Sequence, residues 1–418
     1  MSAQGDKLKA IADAIREKDG TTEPIAANDF PERIRAIQTG VILPEDVRAI
    51  SLTAEPENGG TVSGGGVASD GMTVTVNAAP DEANNFFFDC WKEGGVVAST
   101  EPLYTFLVSA DRNLAAAFVE SQYVAGVDWW DFALPSAAYW TSVAYGDGIF
   151  VAIAYNTNQF FYSTDGVAWM ATTSPSSGTW TSVAYGDGKF VVVSDSSSTK
   201  ALYSTDGVTW KAATLPYSAS WVSVTYGDGK FVAIALSSNR AAYSTDGMKW
   251  SAATLPSSAS WRSVTYGDGK FVAVANASKV AYSTNGYTWY ATTASGAWGS
   301  VVYGNGIFVA IPSVKDSNYC YSADGITWET AALPLSDNWS SIAYGDGKFV
   351  AVAGAYLNLS DSCIYSKDGL NWETTMLPFA AEWRSVAYGD GKFVAVAKNS
   401  GKAACSSAKG PGQPTVIL

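Results

Sequence analysis

The chain has 418 residues, a formal net charge of −13, no histidine and 4 cysteines, set against 39 glycines, 16 tryptophans and 22 tyrosines. Without histidine there is no serine-histidine or cysteine-histidine nucleophile system, no histidine metal site and no ordinary proton shuttle near neutral pH. With 39 acidic against 26 basic residues the chain suits a phosphate backbone poorly, so nucleic acid is not expected as a partner.

Hydrophobic residues make up 47% of the chain, enough for packed cores. No apolar run approaches the ~18 residues of a membrane span, and no apolar signal core opens the sequence, so neither membrane insertion nor the general secretory route is expected. Cys90, Cys320, Cys363 and Cys405 show no C-x-x-C spacing and are expected as buried or half-buried free thiols. No metal or cofactor is expected.

Residues 1–45 place Leu8, Ile11 and Ile15 at helical spacing, break at Gly20-Thr21-Thr22, and open a second helix at Asp29-Phe30-Pro31-Glu32, a D-x-x-E capping pattern. A segment this small has no core of its own and is expected to anchor on a partner or to self-associate as a homo-oligomer. Residues 46–120 alternate as strands over Ile50–Ala54, Met72–Ala78, Phe86–Trp91, Tyr104–Val108 and Leu114–Val119, with turns at Asn58-Gly59-Gly60 and Gly64-Gly65-Gly66.

Residues 121–410 are dominated by an internal repeat: a tryptophan, then S-V-A-Y-G-D-G-K-F-V-A-V-A, a variable stretch, then Y-S-T-D-G-x-x-W. The leading tryptophans are Trp140, Trp180, Trp221, Trp261, Trp298, Trp339 and Trp383, at steps of 40, 41, 40, 37, 41 and 44 residues. These define repeats 1 to 7. In repeat 2, Trp180–Tyr185 reads as a first strand, Asp187-Gly188 as a tight hairpin turn, Lys189–Val193 as a second strand, Ala201–Ser204 as a third and Val208–Ala212 as a fourth. Leu215-Pro216 and a Ser/Ala-rich stretch then lead to the next tryptophan.

Four short strands repeated seven times predict a mainly β chain with a seven-bladed β-propeller, preceded by the small β module and the short N-terminal helical segment. Fourteen of the 16 tryptophans fall at two repeat positions. Each ring buries roughly 150–250 Å², about 4–6 kcal/mol, so these positions read as blade packing. Repeat 7 lacks a fourth strand, because Lys409-Gly410-Pro411 and Pro414 follow it, while an orphan Gly126-Val127-Asp128-Trp129 ahead of repeat 1 matches Gly207-Val208-Thr209-Trp210. The N-terminal strand is therefore expected to complete the last blade and close the ring, leaving 411–418 as a tail.

The stretch Leu52-Thr-Ala-Glu-Pro-Glu-Asn-Gly-Gly-Thr-Val62, with Thr73-Val-Thr-Val76, Trp91, Pro102–Phe106 and Ala110–Phe118, resembles a divergent internalin B-type repeat, a module common in bacterial surface and phage tail proteins. Leu8–Lys18 and Phe30-Pro-Glu-Arg-Ile34 resemble N-terminal segments of phage tail proteins from Gram-positive hosts. Ser204-Thr-Asp-Gly-Val-Thr-Trp210 resembles the Asp-box of sialidase-type propellers, with one residue missing between Asp and Gly. Asp-boxes are structural turns in that family, so the resemblance implies no catalysis.

The propeller region holds three arginines, Arg240, Arg262 and Arg384, the last two directly after a leading tryptophan. Its acids are mostly the regularly placed turn aspartates, one carboxylate per turn, which is too few oxygens for calcium. The two turns of each repeat should emerge on one face and the variable connections on the other. Loops on a rigid scaffold are where binding usually sits. The expected ligand-contacting residues are Asn156, Asn158, Gln159, Lys200, Asn239, Arg240, Arg262, Lys279, Asn318, Tyr319, Tyr356, Asn358, Arg384 and Asn399.

The resulting expectation is a non-catalytic receptor-binding protein of a phage tail or baseplate. It would bind a bacterial surface glycan or polymer and attach to other tail proteins through residues 1–45, within the virion. A bacterial surface adhesin and a sialidase-like glycoside hydrolase are the alternatives.

Overall fold

The computed structural model describes residues 47–81, 86–120, 123–354 and 359–407. The expected N-terminal helices, the tail 411–418, Tyr356 and Asn358 lie outside the described residues. The described elements are strands and one short 3-10 turn at Glu57–Gly59, grouped into two compact bodies within 47–120 and 123–407.

In the first body, Val47–Glu55 runs parallel to Arg112–Glu120 and antiparallel to Gly66–Ser69, and Phe86–Glu93 pairs with the other side of Arg112–Glu120. A second sheet joins Gly60–Ser63, Thr73–Pro80 and Leu103–Leu107. All five predicted strands are present. The glycine clusters expected as plain turns are flanked by short strands, because Gly64 and Gly66 adopt φ of 91° and 133° and let the chain double back on itself. Trp91 is fully buried at the centre of this body, and its indole N–H donates to the carbonyl of Pro102 at 3.0 Å.

The second body is β-propeller-like. Repeat 5 shows the unit plainly: Trp298–Gly304, Ile307–Pro312, Asp316–Ser322 and Glu329–Asp337 form an antiparallel four-stranded sheet in chain order. The Gly-Asp-Gly turns are the expected tight hairpins, with φ of 47° at Asp187 and 69° at Gly188. The first glycine of each motif answers a different need. A Cβ at Gly146 would stand 1.9 Å from the ring of Tyr185 in the next repeat, and a Cβ at Gly389 of repeat 7 would stand 1.9 Å from the ring of Tyr145 in repeat 1. Repeat 7 therefore packs on repeat 1 as each repeat packs on its successor.

The segment Trp130–Gly146 explains that contact. Its first half pairs with repeat 7, Lys402 to Ala133 and Cys405 to Trp130, and its second half pairs with Ile149–Ala154 as the first strand of repeat 1. The leading tryptophans are buried, all at 3% exposure or less, and the four cysteines are buried free thiols. Burial pushes the Cys405 thiol up to about 12.

The fourth strand differs from its expected position. Val208, Thr209 and Trp210 lie outside any strand, which instead runs Lys211–Ala219 through Leu215-Pro216. Asp206 Oδ1 accepts the N–H groups of Val208 and Thr209 at 2.9 and 2.6 Å, so those donors are unavailable to a ladder. Pro216 is tolerated because this strand lies at the outer edge of its sheet.

Candidate ligand-binding surface

Within each repeat the two glycine turns close one edge of the sheet, and the connection between second and third strands lies at the opposite edge. This variable edge is built more firmly than a set of loops. The indole N–H groups of Trp140, Trp180 and Trp221 donate to the carbonyls of Ser400, Thr157 and Ser198, tying each variable hairpin to a buried ring. Asn156 and Asn399 sit at φ of 59° and 52°, the left-handed geometry that asparagine accepts more readily than most residues.

One repeat position, just before the buried part of the third strand, holds Gln159, Lys200, Arg240, Lys279, Asn318, Ser362 and Lys402. Lys200 Nζ donates to Ser177 O at 2.9 Å and Lys279 Nζ to Ser258 O at 3.0 Å. Arg240 donates to Ser218 O and lies over the ring of Tyr217 at 5.1 Å. Gln159 accepts from the Ser136 hydroxyl at 3.1 Å, and Asn318 donates to Asp316 at 2.8 Å. These side chains bind their own scaffold while Lys200, Arg240 and Asn318 remain exposed, as do Asn158 and Asn239.

Tyr319 is a correction. It is fully buried, its hydroxyl donates to Leu370 O at 3.2 Å, and its ring meets Trp372 edge-on at 5.7 Å. It occupies the inward position that Phe160 and Ala201 hold in other repeats, so strand alternation removes it from the surface.

The residue after each leading tryptophan is the extra residue of a β-bulge, as the register shift between Trp383 and Ser385 shows. In repeats 1 and 2 the bulge carries Thr141 and Thr181, whose hydroxyls donate to the carbonyls of Trp180 and Trp221 in the next repeat. In repeat 7 it carries Arg384 and in repeat 4 the exposed Arg262.

Around Arg384 the structure assembles a charged corner. Glu382 accepts from Arg384 Nη2 at 3.3 Å and from Lys398 Nζ at 3.0 Å. The Glu382 and Lys398 side chains are only 10% and 8% exposed. Lys398 Nζ lies 4.7 Å and the Arg384 guanidinium 5.8 Å from the ring centre of Tyr139, which packs on Tyr155 at 5.2 Å. Asn399 and Asn156 are the sequence neighbours of Lys398 and Tyr155. Arg384 Nε is buried without a hydrogen-bond partner.

Glu382, Lys398, Tyr139 and Tyr155 were not among the expected residues. Aligning the repeats against one another would have found the first two. Glu382 takes the position held by Tyr139, Thr179, Ser220, Ser260, Ala297 and Asn338, where no other repeat has a carboxylate. Lys398 is likewise the only cation at its own repeat position.

The turn aspartates are occupied by the turns themselves. The Ser163 hydroxyl donates to Asp165 Oδ1 at 2.9 Å, and that oxygen also accepts from Val167 and Ala168. Burial would raise these carboxyls, but the converging N–H and O–H donors outweigh it and lower them, Asp206 to about 2.

The fold of residues 123–407 thus defines a β-propeller-like protein. Residues 50–122 match the Divergent InlB B-repeat domain. The chain is similar in fold to virginiamycin B lyase from Staphylococcus aureus, at a TM-score of 0.60 and 12% identity, over 67% of this chain and 99% of that one. It is also similar to YCF48 from Cyanidioschyzon merolae (TM-score 0.53, 13% identity, 68% and 98% covered) and to the β-propeller domain of Cps50 (Swd1) from Myceliophteria thermophila (0.52, 11%, 66% and 99%). At these identities the likeness is one of fold alone. No curated protein matches the chain by sequence.

Proposed function

We propose that the chain is a host-recognition protein of a phage tail or baseplate. In this reading its second body is a seven-bladed propeller, closed by the segment that begins at Tyr123, and its variable edge binds a bacterial surface glycan or polymer. Residues 1–45 attach it to the particle, and the InlB-type module spaces the head from that attachment.

The observation that carries the reading is the confinement of variation to one edge of near-identical sheets, with a charged corner built into it. Two cations, Arg384 and Lys398, both pair with the carboxylate of Glu382, on a chain of net charge −13. The Arg384 side chain is 25% exposed, and its guanidinium offers charge-assisted donors to an incoming oxygen. An anionic group on a wall glycan or polymer suits that arrangement. Single-site affinity for such ligands is weak, which favours presentation in several copies.

The test is sedimentation of purified protein with a panel of Gram-positive cell walls and their isolated polymers. Arg384→Ala is expected to reduce wall binding roughly tenfold, the effect of losing about 1.4 kcal/mol, with an unchanged melting temperature. Binding to no wall, or equal binding by the variant, overturns the reading. Release of soluble sugar from the wall, abolished in Arg384→Ala or Arg262→Ala, would point to a hydrolase instead.

A further inference from the structure

The seam where the closing segment meets repeat 6 holds an open cleft of about 840 Å³ that none of the roles above uses. Its walls include Tyr123, Asp128, Trp129 and Trp130 from the closing segment, and Asp361 and Met376 from repeat 6. Tyr123 and Trp130 meet edge-on at 6.3 Å, and Met376 is 66% exposed.

The seam departs from the repeat in a directed way. Trp130 stands where the other repeats have Met170, Lys211, Ser251, Tyr290, Glu329 and Glu373, none of them tryptophan. Tyr123 stands where an uninterrupted motif would carry the turn serine, a role that Ser406 performs here from the other end of the chain. Two half-buried aromatic rings, Tyr123 and Trp130, therefore line the place where the repeat is broken.

The charge is equally one-sided. Asp128 and Asp361 both line the cleft, and no lysine or arginine does. Just beside it, the Tyr365 hydroxyl donates to Glu373 at 2.6 Å. That hydrogen bond, with burial and the charge of Asp128 adding to it, holds the Tyr365 hydroxyl up at about 12. An anionic ligand is disfavoured in such a cleft, where Asp128, which also accepts the Val124 N–H at 2.7 Å, and Asp361 both add negative charge to the lining. Aromatic faces combined with carboxylates and no competing cation are the chemistry that recognises an organic ammonium ion.

We propose that this seam cleft binds an organic cation, a quaternary or primary ammonium group carried on a small molecule or on a polymer substituent. Trp130 and Tyr123 supply the aromatic faces, and Asp128 and Asp361 the countercharge. This site does not depend on the function of the variable edge.

The test is isothermal titration calorimetry of the full chain with choline chloride, beside its uncharged isostere 3,3-dimethylbutan-1-ol and glucose, at matched ionic strength. Saturable heat with choline and none with the other two is expected. Trp130→Ala and Asp361→Asn should each weaken choline binding at least tenfold, while Arg384→Ala leaves it unchanged. Melting temperatures distinguish loss of the site from loss of the fold, and Asp361→Asn provides the readout if Trp130→Ala does not fold. Equal binding of the neutral isostere, binding of glucose instead, no binding of choline, or choline binding indifferent to both cleft variants overturns the proposal.

Discussion

The hydroxyl of Ser406 accepts the backbone N–H of Gly126 at 2.7 Å, although 280 residues separate them. In repeats 1, 3 and 5 the same bond lies within a single turn, from Gly166 to Ser163, Gly247 to Ser244 and Gly325 to Ser322. The last turn of the protein is thus assembled from both ends of the repeat region. Thr375 donates to Val127 O at 2.6 Å, as Thr172 does to Val208 O, so the closing segment makes the contacts of a turn in the chain's interior.

Replacing Ser406 by alanine leaves the buried Gly126 N–H without an acceptor and should cost about 1–3 kcal/mol. Circular dichroism melts should show it. Deleting Tyr123 to Trp130 should lower the melting temperature far more than deleting Pro414 to Leu418, and equal melting of the two truncations contradicts the closing role.

Gly389 has no room for a side chain, because its Cβ would stand 1.9 Å from the Tyr145 ring. Gly389→Ala should destabilise by about 1–3 kcal/mol through overpacking. Gly391→Ala has open space beside it but lies at φ of 70°, so its cost is backbone strain alone. In a Gly389→Ala/Tyr145→Ala background the overpacking cost of the first change should vanish, and denaturant melts measure that coupling.

Asp165, Asp206, Asp246, Asp324 and Asp368 are all lowered below the usual 3.8. A depressed carboxylate stabilises above its unfolded value and loses that contribution as pH falls toward its folded value. Stability should therefore hold down to about pH 4 and fall progressively toward pH 2, the value for Asp206. Repeat 4 already carries Asn285 at this position, accepting from Tyr287 and Thr288 at 3.1 and 2.8 Å. Asp206→Asn should accordingly fold and flatten the acid limb of a melting-temperature profile against pH, and an unchanged limb would count against these carboxylates as its source.

Glu382→Ala removes an ion-pair partner of the largely buried Lys398 ammonium and should destabilise by about 3 kcal/mol, as removal of one partner from a buried ion pair does. Adding Lys398→Met should recover most of that loss, since an apolar pair of similar volume is often as stable. A double variant as unstable as the single one would mean that Glu382 is held chiefly by other partners.

The turns were legible in the sequence because their chemistry is local. Asp187-Gly188 specifies its hairpin through positive φ angles alone, and Asp206 its turn through donors within three residues. The start of the fourth strand was misplaced for the same kind of reason: Val208 and Trp210 have strand-forming side chains, but Asp206 withdraws two backbone donors, which a propensity reading does not see. Tyr319 looked like a surface residue because its neighbours are polar, and the register of the strand turned it inward.

The sequence by itself determined the repeat, the two turns, the tryptophan packing positions and the orphan segment whose continuation from Trp130 mates with the last repeat, since each rests on residue type and spacing. Only the tertiary structure decided which side chains share a corner or a cleft. Glu382, Lys398 and Tyr139 meet because strands far apart in the chain lie side by side, and Trp130 and Asp361 line one cleft because the ends of the repeat region are joined. Such contacts depend on register and closure, and those follow from the packing of whole sheets.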